Sequence, residues 1–212
     1  MMLQCLIASI ADQRLYLCSL NPDTQQQTLQ SWPISSAKKG IGNLKNSNQT
    51  PLGWHLIRAK IGAEMPIYSV FKARRATAEL CDLASADPQR DWILSRILWL
   101  SGMQKGINRL GNCDSMQRFI YIHGTNQEDL LGKPVSHGCL RMKNTHLLSL
   151  FDQLNIGCPL LISVAPIRSV LAPIVTQVAS VGSNYIKQKN ELNQIFNNDS
   201  LSRFMALLEV SC

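Results

Sequence analysis

The residues of this chain that could do chemistry crowd into one stretch, His123 to Met142, HGTNQEDLLGKPVSHGCLRM. It holds two imidazoles, His123 and His137, and a thiol, Cys139, sixteen residues beyond the first of them. A cysteine nucleophile needs a nearby imidazole to hold it as thiolate and backbone N–H groups to receive an oxyanion. Gly138 frees the backbone for a tight turn that aims successive N–H groups into one concavity. Other cysteine chemistries fit poorly. Papain-like enzymes place the cysteine before the histidine in a CGSCW-like neighbourhood, and caspases carry QAC-x-G; both are absent. Zinc on His123, His137 and Cys139 would need Cys113 or an acid as fourth ligand, at no standard spacing. A buried, inert Cys139 remains the plainest alternative.

The elements that must position these groups are mostly strands. Leu6–Ala11 and Arg14–Leu20 flank Ala-Asp-Gln as a hairpin, and Thr28–Ile34 alternates apolar and polar residues. Trp54–Lys60 and Met65–Phe71 read as a further strand pair. Short strands separated by Gly and Pro predict a β-sandwich or barrel. In RDWILSRILWL, residues 90 to 100, the apolar positions fall near helical spacing and predict a short helix or turn-rich segment. Gln117–His123 returns to strand chemistry, with Tyr121 on the same face as His123. Thr145–Leu154 is an amphipathic helix with Asn144 as N-cap and Leu147, Leu148, Phe151 and Leu154 on its apolar face. Cys158–Val164 reads as a buried strand, and the pattern beyond Pro166 is helical.

His123-Gly124-Thr125 followed by Ser136-His137-Gly138-Cys139-Leu140-Arg141 resembles the active-site signature of the L,D-transpeptidases, the YkuD-type catalytic domain. Thr50-Pro51-Leu52-Gly53 is similar to that family's TPxG turn, ILSRILWL with GMQKGINRLGN to its insert, and RFIYIHGTNQ to its strand. Arg141 stands where many members have Asn and marks a subtype. The resemblance spans about residues 1–165, leaving 166–212 as a helical C-terminal extension. It implies a mainly β sandwich or barrel with short helices and a two-step acyl transfer without a cofactor or metal. The thiol would attack the carbonyl of the L-centre of meso-diaminopimelate in a peptidoglycan tetrapeptide stem. D-Ala leaves, and an amine or water resolves the thioester.

By that resemblance Cys139 is the nucleophile and His123 the base, its ring oriented by the Gly124 carbonyl; His137 is the rival base or a substrate-binding residue. Gly138 and Cys139 are the expected oxyanion donors. Arg141 is expected either to bind a substrate carboxylate or to form a structural ion pair, Ser136 to fix the turn, and Tyr121 to line the pocket. His55 and His146 read as surface or packing residues. The expected partners are stem peptides or muropeptides and carbapenem-type inhibitors.

Composition narrows the context. The chain of 212 residues carries a net charge of +7, which suits an anionic partner. Between 38 and 75 lie eight Lys or Arg against Glu64 alone. No zinc-finger, helix-turn-helix or RNA-binding signature points to nucleic acid. Seven cysteines at 5, 18, 81, 113, 139, 158 and 212 lack CxxC spacing, which argues against a disulfide framework and suits a reducing compartment. With no signal-like start and no apolar span, the chain reads as cytoplasmic, where free muropeptides are available and water is the expected acceptor. That makes an L,D-carboxypeptidase of wall recycling the expected role. The alternatives are a periplasmic cross-linking enzyme and a non-catalytic domain that binds peptidoglycan fragments.

Overall fold

The computed structural model describes residues 2–24, 26–88 and 90–171. In chain order the elements are β1 (Leu3–Ser9), β2 (Arg14–Leu20), β3 (Gln27–Ser35), β4 (Gly53–Ile61), β5 (Ser69–Lys72), β6 (Arg75–Leu80), β7 (Leu94–Gly102), β8 (Tyr121–Gly124), β9 (Leu140–Met142), α1 (Asn144–Gln153) and β10 (Pro159–Ser163). The sheet runs β4-β10-β1-β2-β3-β9-β8-β7, and β7 pairs back onto β4. Eight strands therefore close on themselves, which satisfies the backbone groups that an open edge would expose. The β5–β6 hairpin hangs from β7 through the single pair Val70–Leu94.

Period-two alternation fills the barrel. Leu6, Ala8, Leu15, Leu17, Leu98, Leu100, Ile122, Leu140 and Met142 meet in one interior cluster, and α1 adds Leu147, Leu150 and Phe151 to it. On the other face of β1, Cys5 and Ile7 join Tyr16 under Ile167, Val170 and Leu171 of a helical turn at 167–171. The start of the expected C-terminal helix thus seals an outer face of the barrel. The rest of it, 172–212, lies outside the described residues.

Several expectations change. Residues 94–102 form strand β7, neither a helix nor a turn-rich segment. A bulge between Leu94 and Ile97, with Ser95 at φ +65°, breaks the alternation and gives the apolar positions a helix-like spacing. Both faces of β7 are buried, Leu98 and Leu100 inward and Ile97 outward. The expected Trp54–Lys60 and Met65–Phe71 pair does not exist. β4 pairs with β7 and β10, while the second strand shortens to β5 and pairs with β6 and β7. The strand expected from Gln117 begins only at Tyr121, because Asp114 and Ser115 fold the preceding residues into turns. Lys143, not Asn144, is the N-cap of α1. Asn144 is fully buried, accepts from Ser95 Oγ at 2.6 Å and donates to Thr125 O and Glu128 at 2.7 Å each.

His55, expected at the surface or in packing, is fully buried on β4. Its Nδ1 lies 2.9 Å from Gly53 O and its Nε2 2.9 Å from the Ser115 hydroxyl. Donation to the carbonyl leaves Nε2 to accept from Ser115. Burial lowers its pKa from 6.5 to about 4. A depressed pKa means that the unfolded chain binds the proton first, so this stability is complete above pH 6.5 and is lost as pH falls towards 4. The loss is on the order of 3 kcal/mol. Denaturation midpoints measured from pH 7 to 4 should fall less steeply in His55→Gln than in the wild-type protein. Parallel slopes would rule out His55 as the titrating group.

Candidate active site

Strands β8 and β9 lie side by side and parallel, with Ile122 opposite Leu140, His123 opposite Arg141 and Gly124 opposite Met142. This register sends Ile122, Leu140 and Met142 into the core. Tyr121, His123, Cys139 and Arg141 are left on the opposite face. There they line a cavity of about 510 Å³ with Ser136, His137, Asp91, Arg118, Phe119 and the tip of the β5–β6 hairpin.

Cys139 sits at the end of a turn fixed from several sides. Ser136 Oγ donates to Cys139 O at 2.6 Å and accepts from Gly138 N–H at 3.2 Å. Thr50, of the TPLG turn, donates to Gly138 O at 3.1 Å and accepts from Ala37 N–H at 2.9 Å. Gly138 has φ +134°, a conformation open to glycine and strained for other residues. The Gly138 amide, expected as an oxyanion donor, is thereby engaged by Ser136. The Cys139 amide donates to no group among the described residues and is the donor left for an oxyanion.

His123 is buried, and its Nδ1 lies 2.7 Å from Gly124 O. That hydrogen bond sets the tautomer with the proton on Nδ1 and leaves Nε2 as an acceptor. Gly124 is itself closely packed, since a Cβ there would collide with Asn144 Oδ1 and come within 2.8 Å of Leu94 O. The Cys139 thiol lies 3.4 Å from Phe119 O and accepts from Tyr121 N–H at 3.4 Å.

Burial pushes the thiol up to about 12, although Tyr121 N–H opposes the rise. Burial also lowers the His123 pKa, against the pull of Asp91 and Gly124 O. Both shifts favour the neutral thiol and the neutral imidazole, because each charged form loses hydration in this pocket. Such a pair can pass one proton from Sγ to an imidazole as a carbon–sulfur bond forms.

The residues that reasoning from sequence missed are charged. Asp91 Oδ1 accepts from Arg141 Nη2 at 2.7 Å, and its other oxygen lies 3.4 Å from His137 Nδ1. Burial raises the Asp91 carboxyl, but His123, Arg141 and His137 outweigh it and hold the group below the usual carboxylate range. Arg141 Nη1 also donates to Gln127 at 2.8 Å, and its side chain is only 6% exposed. It forms the ion pair rather than an open fork. Arg118 donates to Gly42 O, Ser47 and Gln49 O. Arg74 donates to the Tyr121 hydroxyl at 3.3 Å. Of the eight cations between 38 and 75, Arg74 alone lines this cavity. Asp91 had no motif to mark it and fell within the segment read as a helix or turn-rich stretch. Cys113, the fourth ligand of the zinc alternative, lines a separate groove with Lys105 and Arg109.

The model of the YkuD L,D-transpeptidase catalytic domain matches residues 4–162. The chain belongs to the L,D-transpeptidase family. A Bacillus subtilis (strain 168) protein named as an L,D-transpeptidase, YqjB, is 46% identical over 46 residues, 22% of this chain and 26% of that protein. Escherichia coli (strain K12) YbiS, also named as an L,D-transpeptidase, is 33% identical over 76 residues, 36% of this chain and 22% of the relative. The matches thus span about a quarter of these relatives' lengths. Among solved structures, the L,D-transpeptidase LdtMt1 in complex with imipenem aligns with TM-score 0.45 and 16% identity, over 76% of this chain and 59% of that one. Mycobacterium tuberculosis L,D-transpeptidase 3 with a faropenem-derived adduct aligns with TM-score 0.43 and 15% identity, over 76% and 60%.

Asp91 raises the pKa of both His123 and Cys139. Asp91→Asn should therefore move the acid limb of kcat/KM to lower pH by about one unit and speed alkylation of Cys139 by neutral iodoacetamide at fixed pH. An acid limb that moves upward, or slower alkylation, would refute this account of the site's field.

Proposed function

We propose that Cys139 is the nucleophile and His123 the base of an acyl transfer on peptidoglycan stem tetrapeptides, with water the favoured acceptor. The observation that carries this reading is the His123 Nδ1 to Gly124 O hydrogen bond of 2.7 Å, which leaves Nε2 as a base in the same cavity as the Cys139 thiol. In the first step Sγ attacks the carbonyl of the meso-diaminopimelate L-centre while its proton passes to His123 Nε2. The Cys139 N–H receives the oxyanion. The carbon–nitrogen bond then breaks, and the amine of D-Ala takes the proton from the imidazolium. A thioester remains. In the second step His123 takes a proton from water, the hydroxide adds to the thioester, and the thiolate leaves and is reprotonated.

Water is favoured by the charge of the cavity. Arg74, Arg118 and Arg141 face it against the single carboxylate of Asp91 among the described residues that line it. This field attracts carboxylate-bearing stem peptides and disfavours the approach of an ammonium-bearing acceptor. The product on a soluble muropeptide is a tripeptide stem and D-Ala, an L,D-carboxypeptidase reaction. Carbapenems are expected to acylate the same thiol, in keeping with the imipenem-bound relative.

Product analysis on a free tetrapeptide, with and without an added D-amino acid, should show D-Ala release with hydrolysis dominant. Intact mass after carbapenem treatment should show one adduct, absent in Cys139→Ala. Cys139→Ser should lose turnover by roughly a thousandfold or more, because an alkoxide is far harder to form than a thiolate. Wild-type D-Ala release by Cys139→Ala would overturn the assignment of the nucleophile. Efficient D-amino-acid exchange with little hydrolysis would overturn only the choice of water.

A further inference from the structure

Three guanidinium groups face the Cys139 cavity, and they differ in what they have left to give. Arg141 spends Nη1 on Gln127 and Nη2 on Asp91, and its side chain is 6% exposed. Arg118 spends Nη1 on Gly42 O at 3.1 Å and Nη2 on Gln49 O at 2.6 Å and Ser47 Oγ at 3.3 Å. Both are anchors of the surrounding loops. Arg74 makes one long hydrogen bond, from Nη1 to the Tyr121 hydroxyl at 3.3 Å, and its remaining N–H groups donate to no group among the described residues.

Its position is nevertheless well defined. The guanidinium carbon lies 4.5 Å from the Phe119 ring centre and 5.0 Å from that of Trp99. Cation–π contacts on two rings hold the plane without consuming its in-plane N–H donors. Phe119 is half exposed at φ +56°, so the ring that carries Arg74 stands at the mouth of the cavity. Arg74 itself occupies the two-residue tip of the β5–β6 hairpin, Ala73 at φ +48° and Arg74 at φ +65°. This two-residue turn with both φ positive sets the side chain over the site.

We propose that Arg74 is the specificity-determining residue of the reaction and takes the free α-carboxylate of the leaving C-terminal residue in its unspent fork. This rests on the functional reading above and sharpens it. The substrate is then a peptide whose scissile bond is followed by one residue with a free carboxylate. Amidated or extended C-termini are selected against. A planar guanidinium with two free parallel N–H groups matches a carboxylate bidentately, and an amide offers only one acceptor oxygen and no charge. Capture of the carboxylate at the cavity mouth fixes the depth of the peptide, and so the distance of its scissile carbonyl from Cys139 Sγ.

The test compares a stem tetrapeptide ending in D-Ala with the same peptide ending in the D-Ala carboxamide. Wild-type protein should favour the free acid in kcat/KM by about 10- to 100-fold, the scale of a charge-assisted hydrogen-bond pair. Arg74→Gln should bring the ratio near one by losing activity on the acid, chiefly through KM. Arg74→Lys, which keeps the charge without the fork, should recover part of it. Equal losses on both peptides in Arg74→Gln, with the ratio preserved, would make Arg74 a prop for Phe119 and overturn the assignment. So would a wild-type ratio of one. Turnover of neither peptide by the wild-type protein would instead overturn the functional reading on which the assignment rests.

Discussion

The parallel register of β8 against β9 is the constraint on which the rest of the site depends. Three residue pairs set it, and each one decides a face. With Ile122 beside Leu140 the core side is closed. With His123 beside Arg141 an imidazole and an ion pair share the open side, and Cys139 precedes them at the turn. A slip by one residue would drive His123 into the barrel and expose Ile122. Neither strand is long enough to hold this register alone, so the neighbours hold it. β7 pairs with β8 on one side and β3 with β9 on the other. Asn144 ties Ser95 of β7 to the loop that follows Gly124.

Burial gives the site its particular chemistry. The same desolvation that raises the Cys139 thiol to about 12 also lowers the His123 pKa. These shifts move the equilibrium of the pair away from the ion pair and towards neutral thiol and neutral imidazole. The positive surroundings, Arg118 and Arg141, favour the transient thiolate. Asp91 opposes it and holds Arg141 in place. The site is thus balanced between groups that lower the barrier to proton loss and burial that keeps the proton on at rest.

How much of this was legible in the sequence follows from how local each feature is. The hairpin of β1 and β2, the helix near 145–154 and the strand near 159–163 follow from periodicity within a few residues, and the chain adopts them with shifted ends. The tight turn around Gly138 was legible because the glycine marks it in the motif itself. β7 was misread because its bulge at Ser95 mixes two periods. The strand-like look of Gln117–Ile120 reflected side-chain type, while Asp114 Oδ1 accepting from Gln117 N–H decided the backbone. Asp91 and Arg118 were invisible for another reason, and Arg74 was marked only as one of eight cations between 38 and 75. Each reaches the cavity through a tertiary contact, and no spacing along the chain encodes a meeting of the segment before β7, the β5–β6 tip and the loop before β8.

That difference separates two layers of the site by origin. Cys139, His123 and Gly138 come from the paired β8 and β9 and the turn between them, whose positions are fixed by ladder hydrogen bonds and buried side chains. Arg74 comes from a hairpin joined to the barrel's ladder by the single pair Val70–Leu94, with Phe71 N–H bonded to Ile93 O and its ring packed on Ile97 and Tyr121, and with its own small cluster of Val70, Cys81, Trp92 and Leu94 beneath it. A barrel closed by eight strands resists change at the reacting atoms, because moving one strand breaks pairings on both sides. A hairpin held by one pair and a few apolar contacts can differ in length and tip residue at little cost to the barrel. On the proposed reading, the bond-breaking groups are built into the part of the fold that tolerates least, and the proposed reader of the substrate's end is carried on the part that tolerates most. Acyl transfer could then be kept while the identity of the acceptable substrate changes through the residue at the hairpin tip.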